Sequence, residues 1–256
     1  MTAEIFNHIT MKVSIITTCF NRAHCIRNAI ESVLKQDYID VEYIVVDGAS
    51  TDGTVDIINS YKAGISVIVS EPDTGIYNAI NKGIRLATGD IVGVMHSDDI
   101  FFSDNVISSV VRAFKLYDAD MIYGDGLFVN LKNNRVVRNW ISGEYYPAKV
   151  VRGWLPLHTT VYVKKTLLDK YGLYDESYKI AADSEFLLRY MYQLNLNIHY
   201  LNKYFVRMGM GGASTTVLKT FSKWKEDKHL YQKHGLNPYI ALPRKVLSKI
   251  KQFVYV

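Results

Sequence analysis

Four short apolar runs rich in β-branched residues, separated by three segments of helical spacing, fill residues 12–96. The runs are Lys12 to Thr18, Val41 to Val46, Ser66 to Ser70 and Ile91 to Met95. Between them lie three predicted helices, Ala23 to Gln36, Val55 to Tyr61 and Asn78 to Ala87. In the first, Ile26, Ala29, Ile30, Val33 and Leu34 fall at i, i+3, i+4, i+7 and i+8. Such alternation predicts a mostly parallel sheet with helices on both faces. Right-handed crossovers bring every strand's C-terminal end to one edge, and open α/β sheets bind ligands at that edge. Asn21, Asp47, Glu71, Asp73, Asp98 and Asp99 each follow a predicted strand, so they are expected to gather along one rim.

The stretch Gly89-Asp90-Ile91-Val92-Gly93-Val94-Met95-His96-Ser97-Asp98-Asp99 reads as a buried central strand running into two adjacent acids. Neighbouring carboxylates repel unless a cation joins them, and Mg²⁺ or Mn²⁺ with substrate phosphates does so. The plainer reading has Asp98 capping a turn and Asp99 solvated. Other residues carry the same two readings. Asp47 and Asp52 flank Gly48-Ala49-Ser50-Thr51, where an acid accepts from a ribose or base, or Asp52 caps the next helix. Asp183 opens the patterned helix Ala182 to Leu194 as a cap or as a general base. His158 is structural or faces a ligand; the remaining histidines form no ligand spacing. The glycine fingerprints of dinucleotide and P-loop sites, HExxH and the G-x-S-x-G elbow are all absent.

After residue 100 the pattern changes. Ser103 to Tyr117 reads as an amphipathic helix. Met121 to Asp125 and Leu127 to Val129 read as strands, the second pairing with Val136 to Trp140 across Lys132-Asn133-Asn134. Thr159 to Val163 and Ile198 to Val206 complete a mixed second half, and Met208 to Thr215 is expected to be a loop. Residues 217–256 hold nine Lys or Arg against two acids, so the other 216 residues carry a net −2 of the chain's +5. The basic tail is read either as a membrane-surface segment, with Lys245, Lys249 and Lys251 interleaved among Val246, Leu247, Ile250 and Phe253, or as a helix packed on the domain. No nucleic-acid motif accompanies it. Two cysteines at no zinc spacing, no signal peptide and no spanning run lead to the expectation of a cytoplasmic protein, at the inner face of the plasma membrane if the tail docks there.

Together these residues resemble the family 2 glycosyltransferases of GT-A fold, and the small bacterial enzymes of O-antigen and capsular polysaccharide assembly. The resemblance runs through Val13 to Arg22, Glu31 to Gln36, Asp47 to Thr54, Ser70 to Gly83 and the Gly89 to Asp99 stretch. It implies an α/β GT-A architecture: a Rossmann-like mixed sheet with helices on both faces over residues 12–215. A lead-in at 1–11 and a C-terminal helical extension at 216–256 complete the chain. It also implies an inverting transfer of one sugar from a nucleoside diphosphate sugar to a hydroxyl of a glycan or lipid-linked acceptor. Asp47 would bind the base, beside Thr18, Phe20, Asn21 and Arg22. Asp73, Lys82, Ser97 and Asp98 would line the donor side. The D-x-D metal motif reads His96-Ser97-Asp98, so Asp98 and then Asp99 are the implied ligands of Mn²⁺ or Mg²⁺. Asp183 falls at the catalytic base, His158 at the acceptor or diphosphate, and Gly211 to Ser214 at a closing loop. The rival readings are a sugar nucleotidyltransferase, against which the glycine-free Thr17 to Arg22 turn counts, and a non-catalytic nucleotide- or glycan-binding relative.

Overall fold

The computed structural model describes residues 10–130, 135–209 and 217–254; of residues 217–222, 249–251, 253 and 254 it describes the backbone. The first half follows the sequence pattern. Strands β1 (Val13–Cys19), β2 (Val41–Asp47), β3 (Val67–Ser70) and β4 (Ile91–His96) are parallel in the order β3-β2-β1-β4. Helices α1 (Ile26–Leu34), α2 (Thr54–Ser60) and α3 (Ile76–Leu86) make the crossovers. Both faces are covered, which is why β1, β2 and β4 are buried along nearly their whole length rather than on alternate residues. Ile16, Ile44 and Val46 pack with α3 residues Ala79, Ile80 and Ile84. Ile15, Tyr43 and Val45 pack on the other face with Ile26, Ile30 and Val33 of α1. Register pairs Cys19 with Asp47, Asp47 with Ser70 and Thr18 with His96, so the four strands end flush and form the expected rim.

The second half is mixed, as the pattern change implied. Its strands are β5 (Asp99–Phe101), β6 (Met121–Val129), β7 (Val136–Trp140), β8 (Tyr162–Lys164) and β9 (Ile198–Gly209). The sheet continues β4-β8-β6-β9-β5, with β7 paired to β6. Strand β8 runs antiparallel to β4 and β6, whereas β6 and β9 are parallel. Only Ser97 and Asp98 separate β4 from β5, yet β5 closes the far end of this path on β9. The sheet therefore curls back on itself, and Asp98 lies in the corner. Helices α4 (Val106–Tyr117), α5 (Pro147–Val151), α6 (Lys165–Tyr171) and α7 (Ala182–Leu188) pack around it.

Several boundaries differ from the sequence reading. Residues 121–129 form one strand, which stays parallel to β9 across register shifts at Tyr123/Asp125 and Asp125/Gly126. His158–Thr160 is a single 3₁₀ turn ahead of β8. The expected helix to Leu194 gives way after Leu188 to a π-helical turn, Arg189–Gln193. Met208 and Gly209 belong to β9, since Met208 pairs with Asp99 and the Gly209 N–H donates to the Asp98 carbonyl. The Lys132 to Asn134 turn and the Gly211 to Ser214 loop lie outside the described residues. Helices α8 (Val217–Lys233) and α9 (Pro238–Val254) are not a separate body: Leu230, Tyr231, Leu236, Ala241 and Leu242 are buried in the same core as α3 and α7. The side chains of Lys249, Ile250, Lys251 and Phe253, named in the membrane reading, lie outside the described set, while Val246 and Leu247 are exposed.

Candidate active site

On the rim, the loops after β1 and β2 are laced together. Asn21, at a left-handed φ of 51°, donates its N–H to Ser50 Oγ at 2.7 Å and accepts the Thr51 N–H on Oδ1 at 3.0 Å. The Arg22 N–H meets Thr54 Oγ1 at 2.8 Å. Asp52 accepts N–H groups from Thr54 and Ala23 at 3.0 and 3.1 Å, one residue ahead of Gly53, the N-cap of α2. Asp47, expected at the nucleotide base, ends β2. It is fully buried, and its carboxylate accepts from the Ser50 N–H and hydroxyl, from Ser70 Oγ at 2.8 Å and from Cys19 Sγ at 3.5 Å. These bonds hold the 48–50 turn against the ends of β1 and β3.

Above that turn lies a cradle. A Cβ at position 48 would sit 2.6 Å from Asp73 Oδ2 and 3.4 Å from a Phe20 ring carbon. Phe20 is 57% exposed and presents a flat apolar face at the rim. Asp73 is steadied by the Gly75 N–H at 2.8 Å. Lys82 reaches from α3 to Glu71 Oε1 at 2.7 Å and the Pro72 carbonyl at 2.9 Å, so it orders the loop that carries Asp73. Thr18 and Ser97 are buried at the same strand ends, and Thr18 Oγ1 has no hydrogen-bond partner among the described residues.

The corner after β4 holds the paired acids. Asp98 is partly exposed; Asp99 is 1% exposed. Both Asp99 oxygens lack a hydrogen-bond partner among the described residues. Burial, and then the charge of Asp98, push its carboxyl well above the ordinary range. An orphaned buried carboxylate beside a second acid fits a site for a hard cation, which takes one or two carboxylates and completes its shell with phosphate oxygens. No group of three or more His, Cys, Asp or Glu ligands occurs among the described residues. His96, at the D-x-D position of the missing acid, is directed elsewhere: its Nε2 lies 2.8 Å from His158 Nε2.

Asp183 lies in the first turn of α7 and lines a cavity of about 230 Å³ with His158, Trp140, Trp154, Lys223 and Lys245. Its Oδ2 is 3.6 Å from His158 Nδ1, and its Oδ1 accepts the Ser184 N–H at 2.7 Å. Burial would raise the Asp183 carboxyl; the positive charges of Lys223 and Lys245, with the His158 ring facing it and the Ser184 N–H, outweigh it and hold the group below its ordinary value. Burial pushes His158 down, and His96 to about 3, so both rings are neutral near pH 7.

The C-terminal extension builds this place, and the sequence reading missed it. Glu226 of α8 accepts the N–H groups of Lys179, Ile180 and Ala181 at 3.1, 2.9 and 2.8 Å, capping the entry to α7. Lys245 of α9 pairs with Asp227 at 3.0 Å and reaches Ser184 Oγ at 3.4 Å. From the other side, Tyr174, Phe186 and Tyr190 stack with centroids 4.5 and 4.3 Å apart, and Tyr77 donates to the Ile180 carbonyl. A second cavity, lined by Tyr171, Glu185, Arg189 and His234, has its charges closed on one another, Glu185 and Arg189 pairing at 3.0 Å.

A curled mixed sheet whose parallel half ends in paired acids, with a further carboxylate in the first turn of a later helix, defines the GT-A class. The chain belongs to glycosyl transferase family 2, whose family model matches residues 14–174. It is 34% identical over 181 residues to an uncharacterized glycosyltransferase of Mycobacterium tuberculosis, covering 69% of this chain and 68% of that one. It is 27% identical over 216 residues to a PGL/p-HBAD biosynthesis glycosyltransferase of Mycobacterium bovis, covering 82% of each. Among solved structures it shares its fold with Staphylococcus aureus TarS in complex with UDP-GlcNAc, at TM-score 0.68 and 20% identity, covering 86% of this chain and 65% of that one. The chain thus spans less than two thirds of that TarS fragment. A mannosyltransferase from Pyrobaculum calidifontis in complex with GDP-Man and Mn²⁺ matches at TM-score 0.60 and 17% identity, over 93% and 73% of the two chains.

Proposed function

We propose that this protein is a metal-dependent, inverting glycosyltransferase that moves one sugar from a nucleoside diphosphate sugar to a hydroxyl of a glycan acceptor, carried on a lipid, in surface polysaccharide or glycolipid assembly. The observation that carries the reading is Asp183, a carboxylate held ionised in a cavity wall 21% exposed, where an attacking hydroxyl can reach it. Such a group takes the proton of an alcohol as it attacks. The acceptor oxygen bonds to the anomeric carbon. The bond from that carbon to the diphosphate breaks, its electron pair leaves with the diphosphate, and the proton passes to Asp183. One displacement from the opposite face inverts the configuration.

Asp98 and Asp99 would hold Mn²⁺ or Mg²⁺, which when bound offsets charge on the leaving diphosphate. Phe20 and Asp73, converging over Gly48, would meet the nucleoside, with Asn21 and Arg22 beside them; Asp47, Thr18, Ser97 and Lys82 shape these walls. The UDP-GlcNAc and GDP-Man of the two structural neighbours support a nucleotide-sugar donor, and the Mycobacterium bovis relative's name supports a biosynthetic acceptor. No helix among the described residues is long and apolar enough to cross a membrane. Trp224, Tyr239, Ile240, Val246 and Leu247 are exposed on a basic extension, which supports contact with the cytoplasmic face of the plasma membrane.

Thermal melting with UDP, GDP, dTDP and CDP, each with and without Mn²⁺, tests the donor side. A nucleotide at about 100 times its Kd adds on the order of 2.7 kcal/mol, and one base is expected to give a Mn²⁺-dependent shift. Transfer with the matching sugar nucleotide is expected to give a product of inverted anomeric configuration by NMR. A retained configuration would sink the single displacement.

A further inference from the structure

Three separate elements bring His96, His158 and Asp183 together. His96 ends β4, His158 opens the 3₁₀ turn, and Asp183 lies in α7. The Nε2 atoms of the two histidines are 2.8 Å apart, close enough that they share one proton. His96 Nδ1 is buried and has no hydrogen-bond partner among the described residues. An orphaned buried N–H is rarer and costlier than an orphaned lone pair, so Nδ1 carries the lone pair and the His96 proton sits on Nε2. That N–H donates to His158 Nε2. The proton of neutral His158 is then on Nδ1, which faces Asp183 Oδ2 at 3.6 Å. In such a pair, one nitrogen's hydrogen bond decides what the other offers. Hydrogen bonds of catalytic groups are often long outside the Michaelis complex and tighten within it.

We propose that His96 and His158 are a positioning pair for Asp183: His96 fixes the tautomer of His158, whose Nδ1–H orients the carboxylate toward the acceptor hydroxyl. This role rests on Asp183 being the base. It also gives a physical reason for a histidine at the place of the first D-x-D acid, since the side chain serves the base side of the site rather than the cation side.

The tautomers are read without substrate from two-bond ¹H–¹⁵N spectra of ¹⁵N-labelled protein. His96 is expected as the Nε2–H form and His158 as the Nδ1–H form, which is the minor form of free histidine. In His96→Leu, His158 is expected to revert toward Nε2–H. A wild-type His158 protonated on Nε2 alone overturns the proposal. In kinetics, His96→Leu is expected to lower kcat about 10- to 100-fold, the size of a lost supporting contact to a functional group. The donor KM and the Mn²⁺-dependent melting shift with nucleoside diphosphate stay unchanged, and His96→Gln, which retains an N–H donor, recovers most of kcat. Loss of the Mn²⁺-dependent shift in His96→Leu would make His96 part of the cation site. Equal losses in the Leu and Gln variants with a lowered Tm would make it a packing residue. Either outcome overturns the positioning role. The expected tautomers in a wild type that transfers no sugar from any donor would overturn the base reading, and the positioning role with it, while leaving the pairing intact.

Discussion

Asp183 and Glu42 are both carboxylates kept ionised in poorly solvated places, by different means and for different ends. Asp183 relies on the field of Lys223, His158 and Lys245 and keeps Oδ2 clear of strong donors. Removing its basicity without its shape, in Asp183→Asn, is expected to cut transfer about 10²- to 10⁴-fold, the range of a lost general base, while nucleotide-induced melting shifts persist. Normal turnover by that variant would end the base assignment. Glu42 is instead saturated. It accepts from Ser14 Oγ at 2.6 Å, the Thr88 N–H at 2.7 Å, Thr88 Oγ1 at 2.6 Å and Lys12 Nζ at 2.9 Å. Burial would raise its pKa; these bonds bring it from 4.5 to about 2. The folded value lies below the unfolded one, so the stabilisation is complete above about pH 4.5 and disappears as pH falls toward 2. It amounts to roughly 3 kcal/mol. Urea unfolding of wild type and Glu42→Gln should differ most near pH 6 and converge as pH drops through this window; a gap that ignores pH would contradict the linkage.

Among elements, α7 shows how a short helix is made rigid enough to carry a base. Its seven residues are too few to be stable alone. The aromatic stack of Tyr174, Phe186 and Tyr190 fixes one side, and Glu226 of α8 satisfies three backbone N–H groups at its entry. Glu226→Ala leaves those donors without their acceptor and is expected to cost about 1–3 kcal/mol in urea unfolding. It should lower kcat more than donor KM, because α7 carries Asp183 and none of the donor-side residues. An unchanged kcat would mean the stack alone positions the base. The amphipathic spacing of α1, α3 and α4 was legible from residue periodicity, and the rim followed from it. The π-helical turn and the 3₁₀ turn at His158 were not. Both arise from packing and capping between distant segments, which leave no mark on local spacing.

On the scale of the whole molecule, the extension is part of the catalytic body, since Leu230, Tyr231, Ala241 and Leu242 enter the core. Truncation after residue 215 is therefore no clean test of membrane contact. Replacing the exposed Val246 and Leu247 with serine is the better probe, because neither side chain enters the core. The double variant is expected to keep its Tm and to lose most of its co-sedimentation with anionic vesicles, by about 1.5–3 kcal/mol per apolar side chain withdrawn from the lipid interface. Full retention would assign the exposed face some other role.

Residue order alone determined the parallel half, its ligand edge and the placing of Asp98, Asp99 and Asp183 as candidates, because strand and helix periods and turn residues are local properties. Only the tertiary structure decided what each acid is free to do. Asp47 and Asp52 sit in the same stretch, and the fold ties each both to its own loop and to a distant one, Asp47 to Ser70 and Asp52 to Ala23. His96 and His158, 62 residues apart, become a pair only when β4 and the 3₁₀ turn meet. The division has one physical cause. Periodicity records which face of an element is apolar, whereas a carboxylate's availability depends on donors and charges that the chain delivers from far along its length.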